Sequence, residues 1–198
     1  MRVELLAITP NAEDLVARCA RISHRSEAQA SPEADAKLIR KLIKLGHESV
    51  LEHTSATFLI EGISRSCMAQ LTRHRLAAFT VESMRYVDMS CQSVVVPDSI
   101  QSGTSEVSSV YIEAVGSAFR AYEELLDMGI PREDARFVLP IGTQTRLVMT
   151  ANFRELRHII RLRGSKAAQW EVRQIAKRLL EIMREEAPNV FGDLEVEV

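Results

Sequence analysis

The stretch TRLVMTANFRELRHIIRL, residues 145–162, changes its pattern halfway along, and this change decides the fold class. Residues 145–150 (TRLVMT) predict a strand, and the residues from Phe153 to Leu162 predict a helix directly after it. Outward from this junction, strands and helices follow one another without a regular strand-helix-strand alternation. Such an order predicts an α+β fold, with an antiparallel or mixed sheet and several long helices, rather than a doubly wound parallel sheet.

The other predicted elements lie on both sides of this junction. Residues 72–90 show no clean period and mix charged with large apolar side chains, which predicts a functional loop. Strands are predicted at residues 2–9, 54–61 and 92–97. Helices are predicted at residues 11–21, 32–45, 64–71, 105–128 and 166–186, with a short helix that starts at Pro131 and is stopped by Pro140.

Length and composition predict one domain over residues 1–198. The chain is 46% hydrophobic and 26% charged, close to the average of globular domains, and its 8 Gly and 6 Pro form no linker. The apolar runs are too short to span a bilayer, and the first residues do not resemble a signal peptide, so we expect a cytoplasmic protein without a membrane segment. The three cysteines lack a CxxC pairing, which predicts reduced thiols.

The charges point to anionic small molecules rather than to nucleic acid. The net charge is −2, which argues against a protein that coats nucleic acid. Of the 25 cations 20 are Arg, whose planar fork of donors suits phosphate and carboxylate groups. An RNA-binding module that uses the Arg residues stays a weak alternative, because few aromatic side chains are present for base stacking.

The densest cationic stretch is Arg73-His74-Arg75. Three consecutive residues cannot share one helix face, so they are expected at the end of an element, where they contact different parts of a ligand. The residue pattern fits a large anionic ligand and a solvated basic turn equally well.

A second Arg series lies on the helix predicted after Phe153. Arg154, Arg157 and Arg161 form one stripe, for which an exposed face paired with acids is the simpler interpretation, above all for Arg157 and Arg161. Asn152 and Arg154 are better ligand candidates, because free amides at a helix N-terminus favour anions.

The sequence does not support a metal site, a Gly-rich phosphate loop, a serine-hydrolase site or a cysteine nucleophile. His47 and His53 are six residues apart and point to different sides of a helix, so no metal site is predicted. The Gly-rich phosphate loops and the serine-hydrolase motif are absent from the sequence. Cys67 lies in an apolar stretch and is expected in the core rather than as a nucleophile.

Several motifs, taken in order, resemble the flavin-dependent thymidylate synthases (the ThyX family). Arg73-His74-Arg75, followed after seven residues by Ser83, resembles the family's RHR-x7-S signature, and Arg85-Tyr86 continues it. The remaining matches are ARIS (20–23), GHES (46–49) with EH (52–53), PREDAR (131–136) with LP (139–140), NFR (152–154), His158, LR (162–163) and AQWE (168–171).

This resemblance implies an activity, its cofactors and an assembly. The implied reaction methylates dUMP to dTMP with methylenetetrahydrofolate as carbon donor and FAD, reduced by NADPH, as the hydride source. The family needs no cysteine nucleophile and forms homotetramers with shared active sites. A catalytically weakened relative that binds flavin or nucleotide as a sensor is the main alternative.

The resemblance also assigns roles to single residues. Arg163 is expected to be the catalytic group, because an Arg against the uracil stabilises negative charge on the N3/O4 side of the ring. Ser83 is expected to donate a hydrogen bond to the substrate rather than to act as a nucleophile, since no base adjoins it in the sequence. FAD-binding positions are Ser49, Arg73, His74, Arg75, Val81, Asn152, Arg154 and His158; dUMP-binding positions are Gln70, Arg73, Ser83, Met84, Arg85, Arg136 and Arg163.

One loop departs from the family pattern. Where the family often has Ser, then Asn or Ser, then Glu or Gln, this chain has Ala78, Thr80 and Val81. Val81 lacks the polar group expected to face flavin and nucleotide, and Glu82 is displaced by one residue. The identity of the pyrimidine nucleotide is therefore less firmly implied than the flavin.

Overall fold

The computed structural model describes residues 1–197, and it confirms the α+β class. Four strands form an antiparallel sheet in the order β1-β2-β4-β3. They are β1 (Arg2–Ile8), β2 (Ser55–Ser64), β3 (Ala78–Val81) and β4 (Gln144–Asn152).

Most helices lie where the apolar spacing predicts them. In α2, Ser31 caps the N-terminus by accepting from the Ala34 amide at 3.2 Å, and Pro32 occupies the first turn. The helices are α1 (Ala12–Ile22), α2 (Pro32–Lys44), α3 (Arg65–Leu71), α4 (Asp98–Gln101), α5 (Ser105–Asp127), α6 (Arg132–Ala135), α7 (Phe153–Arg163), α8 (Trp170–Glu186) and α9 (Pro188–Phe191), with 3-10 segments at Glu27–Gln29, Glu48–His53 and Arg136–Val138.

Contacts within the chain define two compact units. The first unit consists of Glu61–Ala69 and Val81–Leu147 together with Met1. The second unit consists of Arg2–Ile60, Gln70–Thr80 and the chain from Val148 onward.

The core of the second unit lies between helices. Helix α7 packs against α8, and α9 packs against α8 in turn. Phe153 at the start of α7 meets Phe191 of α9 edge to face, with ring centroids 5.3 Å apart. The apolar residues that α7 and α8 bury recur at spacings of three and four, as an amphipathic helix requires: Phe153, Leu156, Ile159, Ile160, Val172, Ile175, Ala176, Leu179, Leu180 and Met183.

The first unit is built around the long helix α5. Tyr122 of α5 is fully buried and packs in a cluster with Met84, Met89 and Ala135. The Tyr122 hydroxyl accepts a hydrogen bond from the Met89 amide at 3.4 Å. This cluster holds the segment after β3 against α5.

The prediction of a strand at residues 92–97 is wrong. Only an isolated bridge forms there, between Val94 and Thr143, and Pro97 ends the extended run just before α4. A Val-rich run favours extended backbone, but a strand needs several consecutive pairs on a neighbour. Two backbone hydrogen bonds form this bridge, from the Val95 amide to the Gly142 carbonyl at 2.8 Å and from the Gln144 amide to the Ser93 carbonyl at 2.9 Å, and the Val95 carbonyl accepts from the Tyr111 hydroxyl at 3.1 Å.

Smaller differences concern element ends and short elements. Helix α8 begins at Trp170 rather than at Lys166, because the Gln169 side chain caps it by accepting from two backbone amides at 2.9 and 3.1 Å. Strand β3, α4 and α9 were not predicted, and each has only four residues.

No helix among residues 1–197 is long and apolar enough to cross a membrane.

Candidate functional site

The residue order at the end of β4 positions one wall of the site. Asn152 ends the strand and caps α7, with its side-chain oxygen accepting from the Glu155 amide at 2.8 Å. The apolar face of α7 packs into the core of the second unit, so its register leaves Glu155, His158 and Arg163 on the side that meets the segment after α3.

A cavity of about 480 Å³ lies between α7 and the segment after α3, within the second unit. We call it the cationic pocket. Its volume is in the range of small-molecule and cofactor sites. Its lining residues are Arg73, His74, Arg75, Leu76, Glu155, His158, Leu162 and Arg163.

A chain of hydrogen bonds crosses the back of the cationic pocket. His74 and Glu155 are both buried, and Nδ1 of His74 lies 3.0 Å from Oε1 of Glu155. Nε2 of His74 accepts from Nε of Arg163 at 3.0 Å. Nη2 of Arg163 also donates to the backbone carbonyl of Gln70 at 3.0 Å. These contacts hold the half-buried guanidinium of Arg163 at two points.

His74 is neutral in this environment. Burial lowers its pKa below the ordinary value of 6.5, and the charges of Arg163 and His158 lower it further. The hydrogen bond and the charge of Glu155 act in the opposite direction, but the pKa of His74 remains lowered. The contact with Arg163 agrees with this state, because only an unprotonated Nε2 can accept from a guanidinium.

The outer part of the pocket offers free positive charge. Arg73 and Arg75 are exposed, and neither forms a salt bridge within the described part of the chain. His158 is also exposed and meets the His74 ring edge to face at 5.6 Å between centroids. Two unpaired guanidinium groups beside a buried imidazole suit an anionic ligand such as a diphosphate.

Three of the pocket residues lie close enough together to hold a metal ion. Donor atoms of His74, Glu155 and His158 lie within 4.8 Å of one another. Both ring nitrogens of His74 already take part in hydrogen bonds, and the guanidinium of Arg163 would repel a cation at Nε2. The arrangement therefore favours an anion over a metal ion.

The Arg stripe on α7 differs from the predicted exposed face. Arg161 is 47% exposed and pairs with Glu48 at 2.9 Å, as expected. Arg157 is fully buried, so its predicted exposure is wrong. Its guanidinium bonds Asp193 and Glu48 inside the fold, because α7 turns this side of the stripe toward α9 and the segment that follows it.

Four positions assigned to FAD are absent from the lining of the cationic pocket: Val81, which ends β3 in the first unit, and three residues of the second unit. Ser49 is exposed on the 3-10 helix Glu48–His53. Asn152 uses its side chain to cap α7, and Arg154 forms an ion pair with Glu52. The 3-10 helix packs against α7, so these three residues share one side of the second unit.

Four of the positions assigned to dUMP lie in the first unit. Met84 is buried, and Ser83 accepts from the Arg85 amide at 3.3 Å through its hydroxyl. Glu133 joins the two Arg residues of this group: its carboxylate pairs with Nε of Arg85 at 2.7 Å and its backbone carbonyl accepts from Nε of Arg136 at 2.9 Å.

Glu82, the residue after Val81, forms hydrogen bonds with two Arg side chains of the first unit. Its carboxylate accepts from Nε of Arg146 at 3.0 Å, and its backbone carbonyl accepts from Arg65 at 2.9 Å. Burial lowers the pKa of Arg65, and the nearby charges of Glu82 and Arg136 act on it in opposite directions. Glu82 is thus engaged with basic side chains of the first unit and does not replace the polar group missing at Val81.

Glu155 is the pocket residue that sequence reasoning missed. The sequence position of Glu155 indicates only an acid in the first turn of a helix, where it complements the helix dipole. Its partner His74 is 81 residues away, and no local pattern connects the two.

Comparison with known proteins gives consistent matches along the chain. A family model described as thymidylate synthase complementing protein matches residues 4–189. The flavin-dependent thymidylate synthase of Halobacterium salinarum is 39% identical, with 100% of this chain and 96% of that protein covered. The enzymes of the same name from Geobacter sulfurreducens (41% identical, 98% and 86% covered) and Haloarcula marismortui (35% identical, 100% and 96% covered) are also similar.

Proposed function

The chain belongs to the family of thymidylate synthase complementing proteins, and from this premise we propose that it is a flavin-dependent thymidylate synthase that methylates dUMP to dTMP. Methylenetetrahydrofolate supplies the carbon in this proposal, and NADPH reduces the flavin. The observation that carries the proposal is that the RHR triplet, at the positions where the family binds FAD, forms the cationic pocket together with α7.

The pocket residues fit FAD by their chemistry. Arg73 and Arg75 would hold its diphosphate, since both guanidinium groups are exposed and unpaired among the described residues, and His158 would contact it from α7. Charge-assisted hydrogen bonds of this kind contribute about 1.5–3 kcal/mol each. When bound, FAD supplies the hydride for the reaction.

Arg163 is proposed as the catalytic residue toward dUMP. Its Nε and Nη2 are engaged by His74 and Gln70, while Nη1 makes no hydrogen bond within residues 1–197. A guanidinium held in this way can stabilise the negative charge that develops on the N3/O4 side of the uracil without reorganising during the reaction. Removing a preorganised donor of this type typically lowers kcat by about 10²–10³.

A cysteine nucleophile is not required. Cys67 is fully buried, and Cys19, Cys67 and Cys91 form no disulfide. A reactive thiolate needs an electropositive and partly exposed setting, which the buried Cys67 lacks. The proposed reaction therefore does not use Cys67 and activates the uracil by polarisation.

The remaining dUMP positions are proposed as anion ligands. Arg85 and Arg136 carry the charge that a nucleotide phosphate needs, and Ser83 offers a hydroxyl donor. Arg85 shares the carboxylate of Glu133, so a phosphate would compete with that carboxylate for the guanidinium. Ser49, Val81, Asn152 and Arg154 complete the proposed FAD contacts, and Gln70, Arg73 and Met84 the proposed dUMP contacts.

The assembly and location are part of the same proposal. We propose one catalytic domain over residues 1–198 that forms a cytoplasmic homotetramer with shared active sites and binds neither nucleic acid nor membranes. Val110 and Ile112 on α5 are 69% and 68% exposed, which supports a subunit contact on this helix. Light scattering after size-exclusion chromatography measures the number of subunits.

An anaerobic incubation with FAD, NADPH, methylenetetrahydrofolate and dUMP tests the activity. We expect dTMP, identified by mass spectrometry, and its formation should depend on added NADPH. Bound flavin without dTMP would instead favour a flavin- or nucleotide-binding sensor, the alternative that Val81 supports. A Val81→Glu variant then tests whether the missing polar group is the cause.

A further inference from the structure

We propose that Glu155 is a positioning residue that orients Arg163 through His74. The proposal deepens the proposed function, since it assumes that Arg163 faces the substrate. It rests on three side chains of the second unit that are joined by two hydrogen bonds of 3.0 Å each.

The first step is the choice of tautomer. A neutral imidazole has one N–H donor and one acceptor nitrogen. The carboxylate of Glu155 only accepts, so it selects the form of His74 with the proton on Nδ1. Glu155 is 5% exposed and His74 is likewise 5% exposed, so water cannot easily replace either partner.

The second step is the orientation of Arg163. With the proton on Nδ1, Nε2 of His74 has a lone pair and accepts from Nε of Arg163. The Gln70 carbonyl fixes Nη2 of the same guanidinium, and two fixed points define the direction of Nη1. In the opposite tautomer, an N–H on Nε2 would face the N–H of Arg163, and this contact would be repulsive.

Protonation of His74 would disrupt the same contact. The charged groups around the imidazole are Arg163 and His158 on α7, Glu155 on the same helix, and Arg73 and Arg75 on either side of His74. Burial and the charges of Arg163 and His158 oppose a positive charge on the ring and outweigh the opposite effect of Glu155. His74 therefore stays neutral at neutral pH, and the contact depends on the tautomer that Glu155 selects.

Two variants of Glu155 distinguish the role of its negative charge from the role of its hydrogen-bond acceptor oxygen. Glu155→Ala removes the acceptor, so we expect a mixture of His74 tautomers. The kcat/KM for dUMP should fall by about 10- to 100-fold, the usual effect of deleting a partner that orients a functional histidine. The loss should fall mainly on kcat, because Arg163 acts on charge that develops during the reaction. Glu155→Gln keeps an acceptor oxygen and is expected to restore most of the activity.

Nitrogen-15 NMR of histidine-labelled, FAD-loaded protein reports the tautomer directly. Protonated and unprotonated ring nitrogens have well separated shifts, and the His74 signals are those missing in His74→Ala. We expect a single Nδ1–H form in the unmodified protein and in Glu155→Gln, and both forms in Glu155→Ala. The activity loss of Glu155→Ala should persist across pH 6–9, since a neutral ring in the wrong tautomer is not corrected by raising the pH.

Glu13→Ala is the matched structural control. Glu13 is half-buried and accepts from the backbone amide and the side chain of Asn189, both at 2.6 Å, and it does not line the cationic pocket. This variant should lose stability without a change in the His74 tautomer or in kcat. An unchanged tautomer in Glu155→Ala, or kcat/KM within about threefold of the unmodified protein, would overturn the proposal. If the unmodified protein made no dTMP, the proposed function would fail, while the NMR spectra would still decide the role of Glu155.

Discussion

Replacing Arg157 by Met removes a fully buried guanidinium that serves three acceptors. Its Nη1 and Nη2 donate to the two carboxylate oxygens of Asp193 at 2.6 and 2.7 Å. Nε donates to Glu48 at 3.2 Å, and Nη1 also bonds the backbone carbonyl of Val190. Met is flexible and apolar, so it fills part of the space and isolates the loss of the polar contacts.

The structure indicates the size of the effect. Removing one partner of a buried ion pair costs about 3–5 kcal/mol. Two of the three acceptors keep other partners after the replacement: Asp193 is 48% exposed and can bond water, and Glu48 keeps its ion pair with Arg161 at 2.9 Å. The buried carbonyl of Val190 loses its side-chain donor, at a cost of about 1–3 kcal/mol. We therefore expect the free energy of unfolding to fall by about 3 kcal/mol, or Tm by about 6–12 °C.

The loss should depend on pH. Burial raises the pKa of Asp193, but the hydrogen bond and the charge of Arg157 outweigh burial, so this pKa lies below its ordinary value. A carboxyl whose pKa is lower in the folded than in the unfolded state stabilises the fold above the unfolded pKa of about 3.9, and this stability is lost as the pH falls through the folded pKa. The difference between Arg157→Met and the unmodified protein should therefore shrink below about pH 4.

Denaturant unfolding at several pH values tests this reasoning, with Arg161→Met as the control. Arg161 lies one turn further along α7 and shares Glu48, but its side chain is 47% exposed, so its loss should cost at most about 1 kcal/mol. If Arg157→Met were no more destabilising than Arg161→Met, the buried network would not contribute as argued. A difference that stays constant down to pH 3 would exclude Asp193 as the titrating partner.

Three further variants test the site. Arg163→Ala is expected to leave bound FAD largely intact and to abolish dTMP formation, because it removes the group that polarises the uracil; turnover within a few fold of the unmodified protein would contradict this role. His74→Ala is expected to lower the flavin content after purification, since it removes the centre of the RHR triplet; an unchanged flavin content would count against that assignment. Cys67→Ser is expected to keep the chemical step at a stability cost of about 1–3 kcal/mol, and a folded variant without that step would support covalent catalysis.

Local pattern accounts for the elements that sequence reasoning located correctly. Helix α2 has its Ser-Pro start, and α7 follows β4 through a capping Asn152, so neighbouring residues define both boundaries. The errors arose where partners lie far away in the chain. A strand at residues 92–97 would need a neighbouring strand to pair along its length, and only the single bridge between Val94 and Thr143 forms.

The sequence by itself determined the α+β class, the family and the positions of the RHR triplet, because periodicity, capping and motif order are properties of neighbouring residues. The tertiary structure decided which charges face the cationic pocket and which are buried. Arg157 and Arg161 look alike in the sequence, yet one is enclosed and the other faces water. His74 and Glu155 became partners only because α7 packs beside the segment after α3, and hydrogen bonds between distant residues depend on such packing rather than on local sequence.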